Sequence, residues 1–174
     1  MNQEPNTTRR VFDGRLIQVD VLEFEATGRG VVRREVVRHP GAVAIWAQTA
    51  EGRYVFVRQY REPARQELLE VVAGTLNPGE DPRECAIREL KEETGYRVRR
   101  IEALGSFFSA PGFCDEQLHV FYAELESQPG AQQPDPDEVL EVVLIEPRAF
   151  EAMLKRGEII DGKTWVAWAM VKAR

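Results

Sequence analysis

Short β-branched and apolar runs, punctuated by turn residues, make up most of this chain. VFDGRLIQVDVLEFEA (residues 11–26) and VVRREVVRH (31–39) read as strands joined through Thr27-Gly28-Arg29-Gly30, a hairpin turn. Pro40-Gly41 marks a boundary, after which AVAIWAQ and YVFVRQY flank the turn-like Ala50-Glu51-Gly52, and LLEVVAG follows. Farther on, ALGSFFSA, QLHVFYAEL and EVVLIEP read as strands. The last two are separated by a surface loop, Ser127 to Glu138, rich in proline and acid. PRAFEAMLKRG predicts a helix with Pro147 in its first turn and Gly157 at its end. KTWVAWAMVKA predicts another, capped by Asp161.

One further helix is expected after Asp81. That residue is placed as an N-cap, Pro82 as the first helical residue, Glu84 as the far half of a capping box and Gly95 as a left-handed stop. Ile87, Leu90 and Thr94, with Ala86, are read as its core-facing stripe. Glu89, Glu92 and Glu93 fall within an arc of about 100° on the other side. The sum is an α/β domain over residues 41–174, in which helices flank a mixed sheet. It is preceded by a β-hairpin segment over residues 1–40 that cannot bury both faces alone and must pack on the main domain or on a second subunit.

Bulk properties narrow the function. With 174 residues, 43% hydrophobic and 30% charged, the chain suits one well-buried domain plus a small appendage. A net charge of −6 argues against sequence-independent nucleic-acid binding, which relies on clustered Lys and Arg. No apolar run approaches membrane-span length and no apolar leader is evident, so neither membrane insertion nor export is expected. Cys85 and Cys114 are too few for a disulfide framework and are read as free thiols in a reducing cytoplasm. The two histidines, His39 and His119, do not read as general bases, and Trp46, Trp165 and Trp168 read as core or interface residues.

The chemistry is concentrated in GTLNPGEDPRECAIRELKEETGY, residues 74–96. Its spacing runs glycine, five residues, glutamate, seven residues, Arg-Glu, an apolar residue, one residue, Glu-Glu, one residue, glycine and a bulky apolar residue. Gly74, Glu80, Arg88, Glu89, Leu90, Glu92, Glu93, Gly95 and Tyr96 fill it. Bare carboxylates this close repel by about 1 kcal/mol per pair in water and more in a cleft, so a cation is expected among them. Oxygen ligands without histidine or thiolate select a hard ion such as Mg²⁺, with Mn²⁺ as the alternative.

This stretch resembles the Nudix box of Mg²⁺-dependent hydrolases that cut a nucleoside diphosphate linked to another group. The resemblance implies a Nudix-type mixed-sheet α/β/α sandwich with an N-terminal β-hairpin extension. It implies metal ligands at Glu89, Glu92, Glu93 and the Ala73 carbonyl, and a structural Arg88 paired with Glu80; Gly74 and Gly79 are read as permitting tight turns. Outside the box, SAPGFCDE around Pro111, the hairpin with Arg33-Arg34-Glu35, the His39-Pro40-Gly41 segment, VRQYR and LLEVVAG resemble the ADP-ribose pyrophosphatase subfamily. That resemblance implies Glu116 as catalytic base or additional ligand, with Asp115 a weaker candidate and Glu92 able to orient water. It implies Arg34, Glu35, Arg61, Glu70, Pro111 and Gly112 as substrate-binding residues. A small nucleoside diphosphate substrate and a homodimer built through the N-terminal segment are implied too. Where some relatives stack adenine on hairpin aromatics, this chain has Leu16 and Arg34, a departure that puts strict adenine selectivity in doubt. Hydrolysis of ADP-ribose to AMP and ribose 5-phosphate is the expected reaction. The alternatives are another nucleotide sugar, an oxidised nucleotide, or a non-catalytic ADP-ribose sensor; the sensor is disfavoured because every motif carboxylate is present.

Overall fold

A computed structural model describes residues 4–26, 28, 30–133 and 139–174. Thr27 and Arg29 of the expected hairpin turn, and residues 134–138 of the expected surface loop, lie outside the described residues. The chain forms two compact units, Met1–Gly41 with Phe108–Gln117, and Ala42–Phe107 with Leu118–Arg174.

In the first unit, strands β1 (Thr7–Asp13), β2 (Gln18–Ala26) and β3 (Gly30–Arg38) form an antiparallel sheet in that order. The expected hairpin is β2–β3, running from Gln18 opposite Arg38 to Ala26 opposite Gly30. It carries an additional strand, because the run 11–26 breaks at Gly14, whose N–H donates to the Ile17 carbonyl at 3.0 Å. The polar stretch Thr7–Arg10 then pairs back on β2, an element that alternation alone does not announce. Asp20, buried in this sheet, accepts from Arg10 and, at 3.0 Å, from Arg38. Those two guanidiniums hold its carboxyl below the ordinary range.

The second unit is built on a six-stranded mixed sheet containing β4 (Ala42–Gln48), β5 (Tyr54–Arg61), β6 (Gln66–Thr75), β7 (Val98–Phe108), β8 (Gln117–Leu125) and β9 (Leu140–Ile145). The order is β7-β8-β4-β6-β5-β9, with β4 and β8 parallel and β4–β6, β5–β6 and β5–β9 antiparallel. β7 begins earlier than its apolar segment suggests, because the polar Val98–Glu102 pairs as strand despite its charge. The central strand AVAIWA is apolar throughout, since both faces are covered. Val43, Ile45 and Ala47 join Val55, Val57, Val72 and Phe121 under helix α1 (Pro82–Thr94). Ala42, Ala44 and Trp46 join Phe56, Val71 and Val120 under α2 (Pro147–Arg156) and α3 (Gly162–Lys172). The helices thus lie on both faces, as the sequence predicts, and none among the described residues is long and apolar enough to cross a membrane.

The three helix starts and the stops of α1 and α2 follow the predicted cues. Asp81 accepts from the N–H groups of Arg83 and Glu84, which is its half of the capping box, and Gly95 ends α1 at φ 73°. Pro147 opens α2 and Gly157 closes it at φ 72°, while Asp161 caps α3 through the Thr164 N–H.

The α2 face is held by aromatic packing. Phe150, fully buried, stacks on Phe56 at 4.8 Å and meets Trp46 edge-on at 5.1 Å. Phe150→Ala is expected to lower the stability of this unit by about 3–5 kcal/mol, read as an earlier urea midpoint. An unchanged midpoint would show that α2 contributes nothing to the core.

Candidate functional site

Helix α1 presents its charges differently from the expected two-faced pattern. Cys85, Ala86, Leu90, Glu93 and Thr94 are buried, whereas Ile87 is half-exposed and, with Glu84, Arg88, Lys91, Glu92 and Gln133, lines a depression of about 310 Å³. The predicted core stripe holds at Ala86, Leu90 and Thr94 and is corrected at Ile87. At about 100° per residue, Glu89 and Glu93 fall between Cys85 and Ala86 inside the buried arc, and Ile87 lies at its margin. The carboxylates fall in one arc as predicted; Glu89 and Glu93 face the sheet, whereas Glu92, at the outer edge of the arc, is partly exposed and lines the depression.

Gly74 makes this possible. It lies in β6 opposite Val43, and a Cβ there would be 1.9 Å from Cδ and 2.0 Å from Oε1 of Glu89. The glycine thus makes room for a carboxylate against the strand backbone and does not serve the tight turn that its sequence position suggests. Gly79, at φ 76°, does serve a turn.

The cation standing among three of the acids is Arg88. Its Nε and Nη2 donate to Glu80 at 2.8 and 2.9 Å, a bidentate pair, and its Nη1 donates to Glu89 at 2.7 Å and Glu92 at 3.0 Å. Glu80 also accepts from the Asn77 N–H at 2.9 Å, tying the loop before α1 to the helix. The Arg88 hydrogen bonds pull the Glu80 pKa down to about 2. Arg88 in turn is raised by that bond and by Glu89 and Glu92. Burial, with Glu80 nearby, pushes the Cys85 thiol up to about 12, which leaves it an inert core side chain.

The partner of the expected Arg88–Glu80 pair is as predicted, yet Arg88 reaches further and supplies part of the positive charge that carboxylate repulsion demands. Three acids around one guanidinium still leave the cluster anionic. Among the described residues no group of three acidic, histidine or cysteine side chains forms a ready-made ion cage. In kind, however, the donors fit a hard divalent ion: carboxylates from one helix, a strand carbonyl at Ala73, and a cradle at Gly74 that only hydrogen leaves open. Glu93 is 2% exposed; its Oε2 is enclosed without a hydrogen-bond donor among the described residues, although the residue as a whole is engaged.

Arg61 and Glu70 meet one another. Arg61 donates through Nε and Nη2 to Glu70 at 2.8 and 2.6 Å, and Glu70, 1% exposed, also accepts from Lys163. Burial alone would raise the Glu70 pKa, but Arg61 and Lys163 outweigh it and hold the carboxyl below its usual range. Arg61 is raised chiefly by Glu70 and also feels Glu93, so this cluster and the α1 acids share one field. Lys163, held by Asp161 at 3.0 Å, was not legible as a participant. Its only sequence signal is its place two residues beyond a helix cap.

The remaining predicted residues lie in the other unit. Arg34 is exposed on β3, its Nη1 donating to the Arg33 carbonyl at 2.8 Å, and Glu35 is exposed beside it. Pro111 and Gly112 occupy an exposed turn closed by the Phe113 and Cys114 N–H groups on the Ala110 carbonyl. Asp115 is taken up by Arg38 at 2.9 Å and the His39 N–H at 2.8 Å. Glu116 has His39 Nδ1 3.7 Å from its carboxylate. That nitrogen accepts from the Gly41 N–H at 3.1 Å.

A family model described as the NUDIX domain matches residues 37–168. The chain is 43% identical to a methanol dehydrogenase activator of Bacillus methanolicus, over 92% of this chain and 87% of the relative. It is 38% identical to an ADP-ribose pyrophosphatase of Bacillus subtilis strain 168, over 89% and 84% respectively. A solved structure described as an ADP compounds hydrolase superposes with a TM-score of 0.80 at 25% identity, covering 98% of this chain and 94% of the other.

The Glu80–Arg88 pair gives a pH signature. Because the folded Glu80 pKa lies below its ordinary 4.5, at about 2, the pair's stabilisation is complete above pH 4.5 and lost as pH falls through that window. Glu80→Gln is expected to flatten the stability profile there, as measured by urea unfolding at a series of pH values. An identical slope in the variant would remove the pair from the acid response.

Proposed function

The chain belongs to the Nudix family, and from that premise we propose that it is a pyrophosphohydrolase cutting the diphosphate bond of ADP-ribose to give AMP and ribose 5-phosphate. The observation that carries this reading is the Glu89 carboxylate seated against Gly74 of β6, the residue that follows Ala73. It sets a helix carboxylate against the strand backbone, oxygen-donor chemistry of the kind a hard ion takes. Glu89, Glu92, Glu93 and the Ala73 carbonyl would hold Mg²⁺. When bound, the ion supplies Lewis-acid polarisation of the diphosphate and an acidified water.

The chain's own residues do the rest. Arg61, fixed by Glu70 and Lys163, offers its guanidinium to diphosphate oxygens. Glu70, with its oxygens already engaged, serves by holding Arg61 in place and not as an acceptor for adenine. Arg34, Glu35, Pro111 and Gly112 are assigned to substrate binding as well. Glu116 takes the proton from the attacking water, a task for which Asp115 is unsuited, since its carboxylate already accepts from Arg38 and His39. Glu92 orients that water.

We assign residues 1–40 to dimerisation and 41–174 to the hydrolase domain, acting in the cytoplasm. Support for the dimer comes from Val11, Phe12, Leu16 and Val31 of the N-terminal unit, which are 46%, 53%, 48% and 59% exposed.

With Mg²⁺ present, ADP-ribose should be hydrolysed at a higher kcat/KM than GDP-mannose, and Glu93→Gln should lose turnover by on the order of a thousandfold or more while keeping its circular dichroism. A higher kcat/KM for GDP-mannose would overturn the substrate, and near-normal turnover of the variant would overturn the role of Glu93. Light scattering should give a dimer, converted towards monomer by Phe12→Glu. A fully active wild-type monomer would contradict the assembly.

A further inference from the structure

A helix leaves its last four carbonyls without intrahelical donors, and in α1 these include the carbonyls of Glu92 and Glu93. Donors reach them from residues about forty positions later. The Gln133 N–H donates to the Glu92 carbonyl at 2.8 Å and the Gln132 Nε2 donates to the Glu93 carbonyl at 2.8 Å. The Gly130 N–H donates to Gly95 at 2.8 Å, an approach so close that a Cβ on Gly95 would lie 2.3 Å from the Gly130 carbonyl oxygen. Gly95 is therefore fixed twice, by its φ of 73° and by this contact. Residues 130–133, read from sequence as part of a surface loop, are a strap across the end of the helix.

We propose that Gln132 is a positioning residue for the carboxylate-bearing last turn of α1, a role that rests on the metal reading of Glu92 and Glu93. The two peptide units the strap holds are those from which these side chains spring. Anchoring their carbonyls sets the direction of both Cα–Cβ bonds. Donors at this end also offset the negative pole of the helix, whose field would otherwise add to that of the acids. Of these three bonds, that of Gln132 is the one made by a side chain, so it can be removed without altering the backbone.

Gln132→Met keeps length and apolar stem but has no N–H to give. In the full-length variant, Mn²⁺ binding followed by electron paramagnetic resonance should weaken about tenfold. Hydrogen exchange should quicken at residues 92–96 alone, with the thermal midpoint unchanged. Unaltered Mn²⁺ affinity overturns the proposal, as does a loss accompanied by a lowered midpoint and faster exchange throughout the unit, which would mark a generally structural residue. A wild-type protein that takes up no Mn²⁺ overturns the metal reading itself. The strap is then judged by exchange alone, with quickening confined to residues 92–96 upholding it and unchanged exchange sinking it.

Discussion

The contact between a carboxylate and a strand with no side chain at that point sets where the α1 charge lies in the second unit. Glu89 lies against β6 where residue 74 is glycine, and a side chain there would displace its carboxylate. Cys85, Ala86 and Leu90 then reach the layer formed by Val43, Ile45 and Val72, so apolar burial and the placement of charge are satisfied by one docking depth. A larger residue at 74 would turn the Glu89 carboxylate away from the strand, since the atoms it meets are the end of that side chain.

Bringing these acids into buried positions carries a desolvation cost, which three fixed cations offset. Arg88 distributes its five donors over Glu80, Glu89, Glu92 and the strand carbonyl of Thr75, and Arg61 with Lys163 encloses Glu70. Buried pairs of this kind gain little net stability over apolar packing, but they hold charge at defined positions. The field they leave is still negative on the α1 side, which suits a site completed by a divalent ion. It suits a diphosphate only once that ion is present.

The helix is also fixed at both ends. Asp81 caps the start beside the loop that Glu80 pins, and the strap at 130–133 caps the finish. A helix whose carboxylates must keep their spacing gains from such restraint, since fraying at its last turn would move Glu92 and Glu93 first.

The local events were legible in the sequence because they depend on neighbours in the chain. Asp81, Pro82, Gly95, Pro147, Gly157 and Asp161 bound their helices through caps a few residues long, and the spacing from Gly74 to Tyr96 marked the family and the acidic side of α1. The reason for Gly74, the margin position of Ile87, the strand at Thr7–Asp13, Lys163 on Glu70 and Gln132 on Glu93 were not legible. Each depends on a partner remote in sequence, brought near only when helix, strand and loop have packed. Sequence determined which residues carry charge and where helices begin and end. Tertiary structure decided which charges meet, because Coulomb and hydrogen-bond energies fall with distances that no spacing along the chain encodes.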